Sequence, residues 1–490
     1  MITGPGLTNT ITAMAQAYQD SIPMLVISGV NARDSLGHGR GMLHELPDQR
    51  AMMATLAVMS HTLLDPNDLP AVMERAFFVL KSRRPGPVHI EIPTDVMPQK
   101  ITSDVWKPVI VSGPRGAATE VTDLAAKCRA AKRPVILCGG GSISAAQEIQ
   151  QLAETLDAPL VTTVNARGMF AGHPLSVPAS PSLKAVRALV SDADLVVALG
   201  TQMGQTDYDM YADNGFPELE NLVRVDIDPD QLARGPSAAL SILSTVDQLV
   251  ADLLAALHGH TGRSDGAGRA KSCREEAFAA LTPKMKAEIA VLETIRDTLP
   301  GCIIVGDSTQ AIYSGNLYFE AGQPKGWFNA ATGFGALGYG PPAAVGASLA
   351  APEVPVVCIV GDGGFQFSLA EIGVLLDQIG GELPPAEVAA RHRRLVTALS
   401  DFDAATITTT HGFCQRMLDA LGLAGDLEPG AKPSAADVAV EDAVRAVRVS
   451  SRRRQLLDAA VAVMGRTGFH QMSMQALAEE AQVSVGLFYK

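Results

Sequence analysis

The stretch that most constrains the fold is GDGGFQFSLAE at 361–371. A run rich in β-branched residues, 354–360, leads straight into it, so a buried strand is expected to end at Gly361. The glycines allow a tight turn and a close approach of backbone to ligand. Ser368 and Glu371 have the S-x-x-E spacing of a capping box, with Leu369, Ile372, Leu375 and Leu376 following on one helical face. Strand, acidic glycine turn and helix N-terminus together suit a phosphate held through a divalent cation. Backbone amides and the helix dipole favour the anion, and Asp362 offers a hard oxygen to Mg2+. Taken alone, the same stretch equally describes a plain strand-to-helix turn, so the remainder of the chain has to decide.

That remainder alternates strand and helix. Residues 4–6 read as a loop, 8–17 as a helix, 23–29 as a buried strand, 69–81 as an amphipathic helix and 88–92 as a strand. A polar connector at 103–120 leads to a second unit with strands at 134–138, 160–164, 195–199 and 222–227 and a helix at 145–156. Gly139, Gly140 and Gly141 follow the first of these strands. They fit either a dinucleotide turn lacking the full G-x-G-x-x-G spacing or a Rossmann-like spacer. Residues 258–273, rich in Gly, Ser and charge, read as a linker. A third unit opens with a strand at 302–305, continues through GDSTQ at 306–310 and carries a glycine-dense run at 332–346. The alternation predicts α/β architecture: three doubly wound parallel-sheet domains at 1–100, 129–258 and 286–378, the first and third truncated, followed by an α-helical C-terminal tail.

Composition narrows the class. Of 490 residues, 47% are hydrophobic and 19% charged, as expected of a globular protein with large cores. The formal net charge of -13 excludes a body built to attract nucleic acid. No apolar run approaches the roughly 18 residues of a membrane helix, and the N-terminus has no basic n-region or apolar core of a signal peptide, so a cytoplasmic protein is expected. None of the six cysteines forms a C-x-x-C pair. They read as small buried hydrophobes, neither a disulfide frame nor a zinc site.

Three blocks in order carry a family resemblance: GPGLTN (4–9) with PMLVISG (23–29); RPVILCGGG (133–141) with VRVDIDPDQL (223–232); and TGFGALGYGPPAAVGA (332–347) with GDGGFQFSLAE. Over 1–378 the chain resembles thiamine-diphosphate (ThDP) enzymes of the acetolactate synthase and 2-oxo acid decarboxylase family. The run GRGMLHELPDQ (39–49) departs from the Phe-Gln-Glu of acetolactate synthases and resembles the subgroup acting on 5-guanidino-2-oxopentanoate. The resemblance implies ThDP and Mg2+ as cofactors, with Asp362 a ligand of Mg2+ and Gly361, Gly363 and Gly364 approaching the diphosphate. Leu337, beside Gly335, takes the place of the bulky residue that holds the cofactor bent. Gly4, Pro5 and Asn9 would face the pyrimidine, with His44 as the candidate catalytic side chain. Ser308 and Gln310 stand where the family contacts the cofactor across subunits. The implied substrate is a small 2-oxo acid, the implied reaction decarboxylation or carboligation, and the implied assembly a homodimer or tetramer. FAD is not expected, because GTQMGQTD (200–207) replaces the flavin-facing Arg-Phe-Asp-Asp-Arg of acetolactate synthases.

Two departures predict impaired catalysis. The family's activating glutamate lies on a strand ahead of the GPG loop, and residues 1–3 do not supply it; Glu45 sits in a different loop. Glu387 and Val388 stand where the family completes its Mg2+ shell with asparagine. We therefore expect weak ThDP binding at best and no decarboxylation. Beyond this point the resemblance changes. RLVTALSDFDAATITTTHGFCQRMLDALGLAGDLEP (394–429), within 379–446, resembles RecB-like helicase–nucleases, without the Walker A loop that ATP hydrolysis requires. Residues 449–490 resemble a TetR-type helix-turn-helix, with a first helix at 474–481, a turn at 482–484 and the start of a recognition helix at 485–490. DNA contact is expected only there. The alternatives to an enzyme are a DNA-binding regulator and a non-functional chimeric reading frame joined near 378 and 449.

Overall fold

Strands such as PVILC and LVVAL, apolar at every position, can be satisfied only in a sheet covered on both faces, and this is how they are used. The computed structural model describes residues 1–102, 110–208, 217–368 and 370–371. Within them, three sheets form, each with parallel pairing throughout. The central one has six strands: β4 (Pro134–Cys138), β5 (Leu160–Thr162), β6 (Ser176–Val177), β7 (Leu195–Leu199), β8 (Leu222–Asp226) and β9 (Leu240–Leu243). Its order, β6-β5-β4-β7-β8-β9, is doubly wound and reverses between β4 and β7.

The helices Ala118–Ala130, Ala146–Leu156 and Val246–Ala256 cover one face of this sheet, sealing Leu124, Ile149, Leu152 and Leu249 against Ile136 and Val197. Lys184–Ser191 and Gly266–Ala279 cover the other, where Val186, Ala270 and Cys273 meet Val135 and Val196. Each buried Leu, Ile or Val contributes about 1.5–3 kcal/mol, so this layer is the principal core of the molecule.

Smaller sheets lie on either side of it in sequence. The first orders β1 (Met24–Val30), β3 (Pro87–Pro93) and β2 (Met59–Thr62) as β1-β3-β2. The third orders β10 (Ile303–Gly306), β11 (Trp327–Asn329) and β12 (Val356–Ile359) as β11-β10-β12. Parallel strands leave their C-terminal ends along one edge, where ligands of open α/β sheets bind. GPGLTN, in contrast, lies ahead of its first strand, and Met1 reaches that strand's exposed edge through its carbonyl bond with the Gly29 amide, 2.8 Å.

Several boundaries differ from the sequence expectation. The helix expected at 8–17 is a turn, Pro5–Thr8, followed by Ile11–Gln19. The stretch expected as a linker at 258–273 is helical from Gly266. There the Asp157 carboxylate accepts the amides of Ser264 at 2.8 Å and Gly266 at 3.1 Å, and Ala270 and Cys273 are buried; tertiary contacts override a weak local propensity. Cys128, Cys138, Cys273 and Cys302 are buried and Cys358 half-buried, as small hydrophobes, while Cys414 lies outside the described residues. No described helix is long and apolar enough to cross a membrane. The expected helicase-like and helix-turn-helix segments, 379–446 and 449–490, lie outside the described residues.

Candidate functional site

The C-terminal ends of β10 and β12 bring two acidic glycine segments together. Asp307, at the end of β10, is fully buried. Its Oδ1 accepts the Ser308 amide at 2.7 Å, and its Oδ2 accepts the amides of Gly338 at 2.7 Å and Gly340 at 3.4 Å. A Cβ on Gly364 would stand 2.9 Å from the same oxygen. One carboxylate therefore fixes the 335–340 turn to the end of β10, with Gly364 packed close beside it. Sequence reading passed over Asp307; its signal was an acid placed directly after a buried strand end.

On this clamp sits an open rim. Asp362 and Gly363 are exposed, and no atom of the described residues lies within 4 Å of where a Gly363 Cβ would stand. Among the described residues Gly361 has only Thr309 Oγ1, at 3.9 Å, near its Cβ position. Gly335 (φ 78°) and Gly338 (φ 82°) are both left-handed, a conformation that favours glycine. Between them Leu337 is 54% exposed, which excludes an ordinary core leucine. Ser308 is half-buried and Gln310, exposed, starts the helix Gln310–Leu317.

The helix expected after Ser368 is present at 370–371, but the Ser368 side chain does not cap it as expected. Ser368 Oγ donates to the Gly338 carbonyl, and a separate helical turn, Asp362–Gln366, precedes it with extended Gly361 as its N-cap. The tight approach of Gly338 to Phe367 and Ser368, whose Cβ and Oγ would lie 2.7 Å and 2.9 Å from a Gly338 Cβ, places that carbonyl within the hydroxyl's reach.

A second cluster forms at the first sheet. Gly4 is buried with φ 63°. A Cβ there would stand 2.7 Å from the His44 carbonyl oxygen, so only glycine lets the two loops meet. His44 is itself left-handed, φ 63°, and half-buried. Pro5 opens the helical turn and Asn9, exposed, closes it. Glu45 folds back on its own loop, accepting the amides of Met42 at 2.9 Å and Arg40 at 3.3 Å. These amides hold its carboxyl below the usual range. A cleft of about 260 Å³ opens beside this loop, lined by residues including Asn31, Glu45, Gln49, Thr62 and Glu91.

The two clusters are tied through one helix. Gln16 Nε2 donates to the Ala330 carbonyl at 3.3 Å, its Oε1 accepts the Ala336 amide at 3.1 Å, and Thr332 Oγ1 donates to Asp20 at 2.6 Å. Burial raises the Asp20 pKa. The central sheet, by contrast, offers no pyrophosphate slot where β4 and β7 diverge. A Cβ on Gly139 would stand 2.3 Å from the Gly200 carbonyl oxygen, and the Gly141 amide donates to that oxygen at 3.0 Å. Its own backbone fills the turn where a dinucleotide phosphate would sit.

Fold and clusters define a parallel-sheet α/β protein with an acidic glycine turn at its last described strand. Comparison with known proteins gives the family. Residues 1–52 match the thiamine pyrophosphate enzyme N-terminal TPP binding domain, 107–253 the central domain and 307–378 the C-terminal TPP binding domain. Residues 456–490 match the bacterial regulatory proteins of the tetR family. The chain is 39% identical over 389 residues to "Probable 2-ketoarginine decarboxylase AruI" of Pseudomonas aeruginosa, covering 78% of this chain and 69% of that one. It is 30% identical over 393 residues to acetolactate synthase 1, chloroplastic, of Zea mays (76% and 60% covered). Against acetolactate synthase isozyme 3 large subunit of Escherichia coli it is 28% identical over 419 residues (80% and 70% covered). The chain belongs to the thiamine pyrophosphate enzymes. The family's cofactors are ThDP and Mg2+. The helicase-like resemblance at 379–446 is carried by none of these matches.

The rim at 361–364 fits the cofactor's charged end. No group of three or more His, Cys, Asp or Glu side chains gathers among the described residues, so Asp362 offers one carboxylate. Mg2+ is commonly held by one or two carboxylates together with substrate phosphates, and the Gly361 and Gly363 positions, uncrowded among the described residues, leave backbone room for the anion.

Proposed function

We infer that residues 361–364 hold the diphosphate of ThDP through Mg2+ on Asp362, in a site that decarboxylates or ligates a 2-oxo acid. The observation that carries this reading is the exposed Asp362 beside the open Gly363 position, backed by the buried Asp307 clamp. Bound ThDP supplies the carbon nucleophile that adds to the substrate carbonyl and the electron sink that lets carbon dioxide leave. The chain's own residues orient and enclose. Gly361, Gly363 and Gly364 bring backbone to the diphosphate. Leu337, raised on the turn fixed by Asp307, presents an apolar face to the cofactor. Gly4, Pro5, Asn9 and His44 face the pyrimidine and substrate. Ser308 and Gln310 reach a cofactor held with a second subunit, in a homodimer or tetramer. The corresponding domains are 1–100, 129–258 and 286–378.

The relative described as a 2-ketoarginine decarboxylase, together with the loop GRGMLHELPDQ, favours 5-guanidino-2-oxopentanoate as substrate. Against the sequence expectation of no decarboxylation, the 39% identity to that relative favours turnover, slowed because Glu387 and Val388 replace the asparagine that completes the metal shell. The test is release of carbon dioxide from 5-guanidino-2-oxopentanoate and from pyruvate, with and without ThDP and Mg2+. Cofactor-dependent release that favours the guanidino acid supports the reading. Absence of release from both overturns the assigned reaction. A second reading, DNA binding through 456–490, is favoured by the tetR-family match; a gel shift with saturable, sequence-selective binding would support it, and non-selective binding would remove it.

A further inference from the structure

The GPGLTN loop is held by side chains that none of its own residues supply. Gln49, 3% exposed, lies at the centre of a closed set of hydrogen bonds. Its Oε1 accepts the Gly4 amide at 3.1 Å and the Thr3 hydroxyl at 3.0 Å. Its Nε2 donates to the Gly29 carbonyl at 2.9 Å and to Glu91 Oε2 at 3.0 Å, with Ser28 Oγ at 3.4 Å. The orientation of the amide is dictated, since a backbone N–H must meet its oxygen and a backbone carbonyl its nitrogen. Glu91, also 3% exposed, has its other oxygen satisfied by the Thr62 hydroxyl at 2.7 Å. Thus β1, β2, β3 and the first turn of Gln49–Ala54 all converge on the residue that starts the loop.

We propose that Gln49 and Glu91 are positioning residues: the Gln49 amide holds Gly4 in its left-handed conformation under His44, and Glu91 holds that amide from behind. Leaving a buried donor or acceptor unmet costs more than a hydrogen bond gains, so truncating Gln49 leaves the Gly4 amide, the Gly29 carbonyl and Glu91 all short of a partner. Fully satisfied buried networks of this kind select one local arrangement. The functional half of the inference, that this arrangement sets cofactor affinity, rests on the ThDP reading above.

The experiment uses the full chain and four forms: wild type, Gln49→Ala, Gln49→Glu and Glu91→Gln. The first readout is hydrogen exchange of the Gly4 amide, which needs no cofactor. Exchange is expected to accelerate by about tenfold or more in Gln49→Ala and in Gln49→Glu, whose carboxylate faces the Gly29 carbonyl and Glu91, and to stay within about twofold of wild type in Glu91→Gln, whose amide can accept from Gln49 while donating to Thr62. The second readout is calorimetric ThDP affinity with Mg2+ present, expected to fall by about tenfold in Gln49→Ala and to be retained in Glu91→Gln. Exchange in β4, β7 and β8 reports whether the central core is intact. If Gly4 exchanges at the wild-type rate in Gln49→Ala, the positioning role is overturned. If Gly4 is released but ThDP affinity is unchanged, the functional half is overturned. Failure of the wild type to bind ThDP overturns the proposed function instead, while Gly4 exchange still decides the geometry.

Discussion

Gly363 and Gly139 look alike in sequence, each following a strand, yet the structure gives them opposite roles. Gly363 meets no other described residue at its Cβ position and sits inside a helical turn. Gly363→Ala is expected to leave stability unchanged or raise it by about 0.5–1 kcal/mol, through the lower backbone entropy of alanine, while weakening ThDP. Chemical denaturation and cofactor titration of one variant check both signs. His89 makes a different residue-scale prediction. It is buried between the hydroxyls of Ser28 and Ser60, both at 2.9 Å, and burial lowers its pKa from 6.5 to about 4. Below 6.5 the unfolded chain binds a proton that folded His89 refuses until about 4, so the stability is present above 6.5 and is lost as pH falls toward 4. Buried acids such as Asp207, raised by burial to about 6, drift the other way. The check is therefore a difference: the stability advantage of wild type over His89→Gln should shrink by about 2 kcal/mol between about pH 7.5 and about pH 5.

At the scale of elements, legibility followed burial. The strands Pro134–Cys138 and Leu195–Leu199 are readable to the residue because they are apolar at every position and packed on both faces. Short strands with mixed patterns, Met59–Thr62 and Trp327–Asn329, carry no such signal and were missed. The helix Gly266–Ala279 was hidden by its glycines and charges, since Asp157, far away in sequence, supplies its start. At the candidate site, the strand and the acidic glycine turn that carries Asp362 were legible from the local pattern. Asp307, Gln49 and Glu91 were not, because their roles are hydrogen bonds to backbone amides and carbonyls that only the fold brings near. The closed β4–β7 divergence gives an element-scale prediction. Gly139→Ala places a Cβ 2.3 Å from the Gly200 carbonyl oxygen and should cost about 1–3 kcal/mol, seen as a lower denaturant midpoint.

At the scale of the molecule, the helix Ile11–Gln19 couples the first and third sheets. Gln16→Ala would leave the buried Ala336 amide without its acceptor and cost about 1–3 kcal/mol. Faster hydrogen exchange across 330–338, with β4 and β7 unchanged, is the expected result. Exposed apolar side chains also cluster by element: Phe77 and Phe78 on one helix, Phe334 and Leu337 on the glycine-rich 332–340 turn. The second pair belongs to the proposed cofactor site, and sedimentation is expected to show a mass of at least two 51.3 kDa chains.

The central claim is that Asp362 holds a cation for the diphosphate. Calorimetric titration of ThDP into wild type and Asp362→Ala, each with Mg2+ and with chelator, tests it most directly. The account predicts saturable binding that requires Mg2+ and weakens by about tenfold or more in Asp362→Ala. Binding of equal strength in chelator, or in Asp362→Ala, would contradict it.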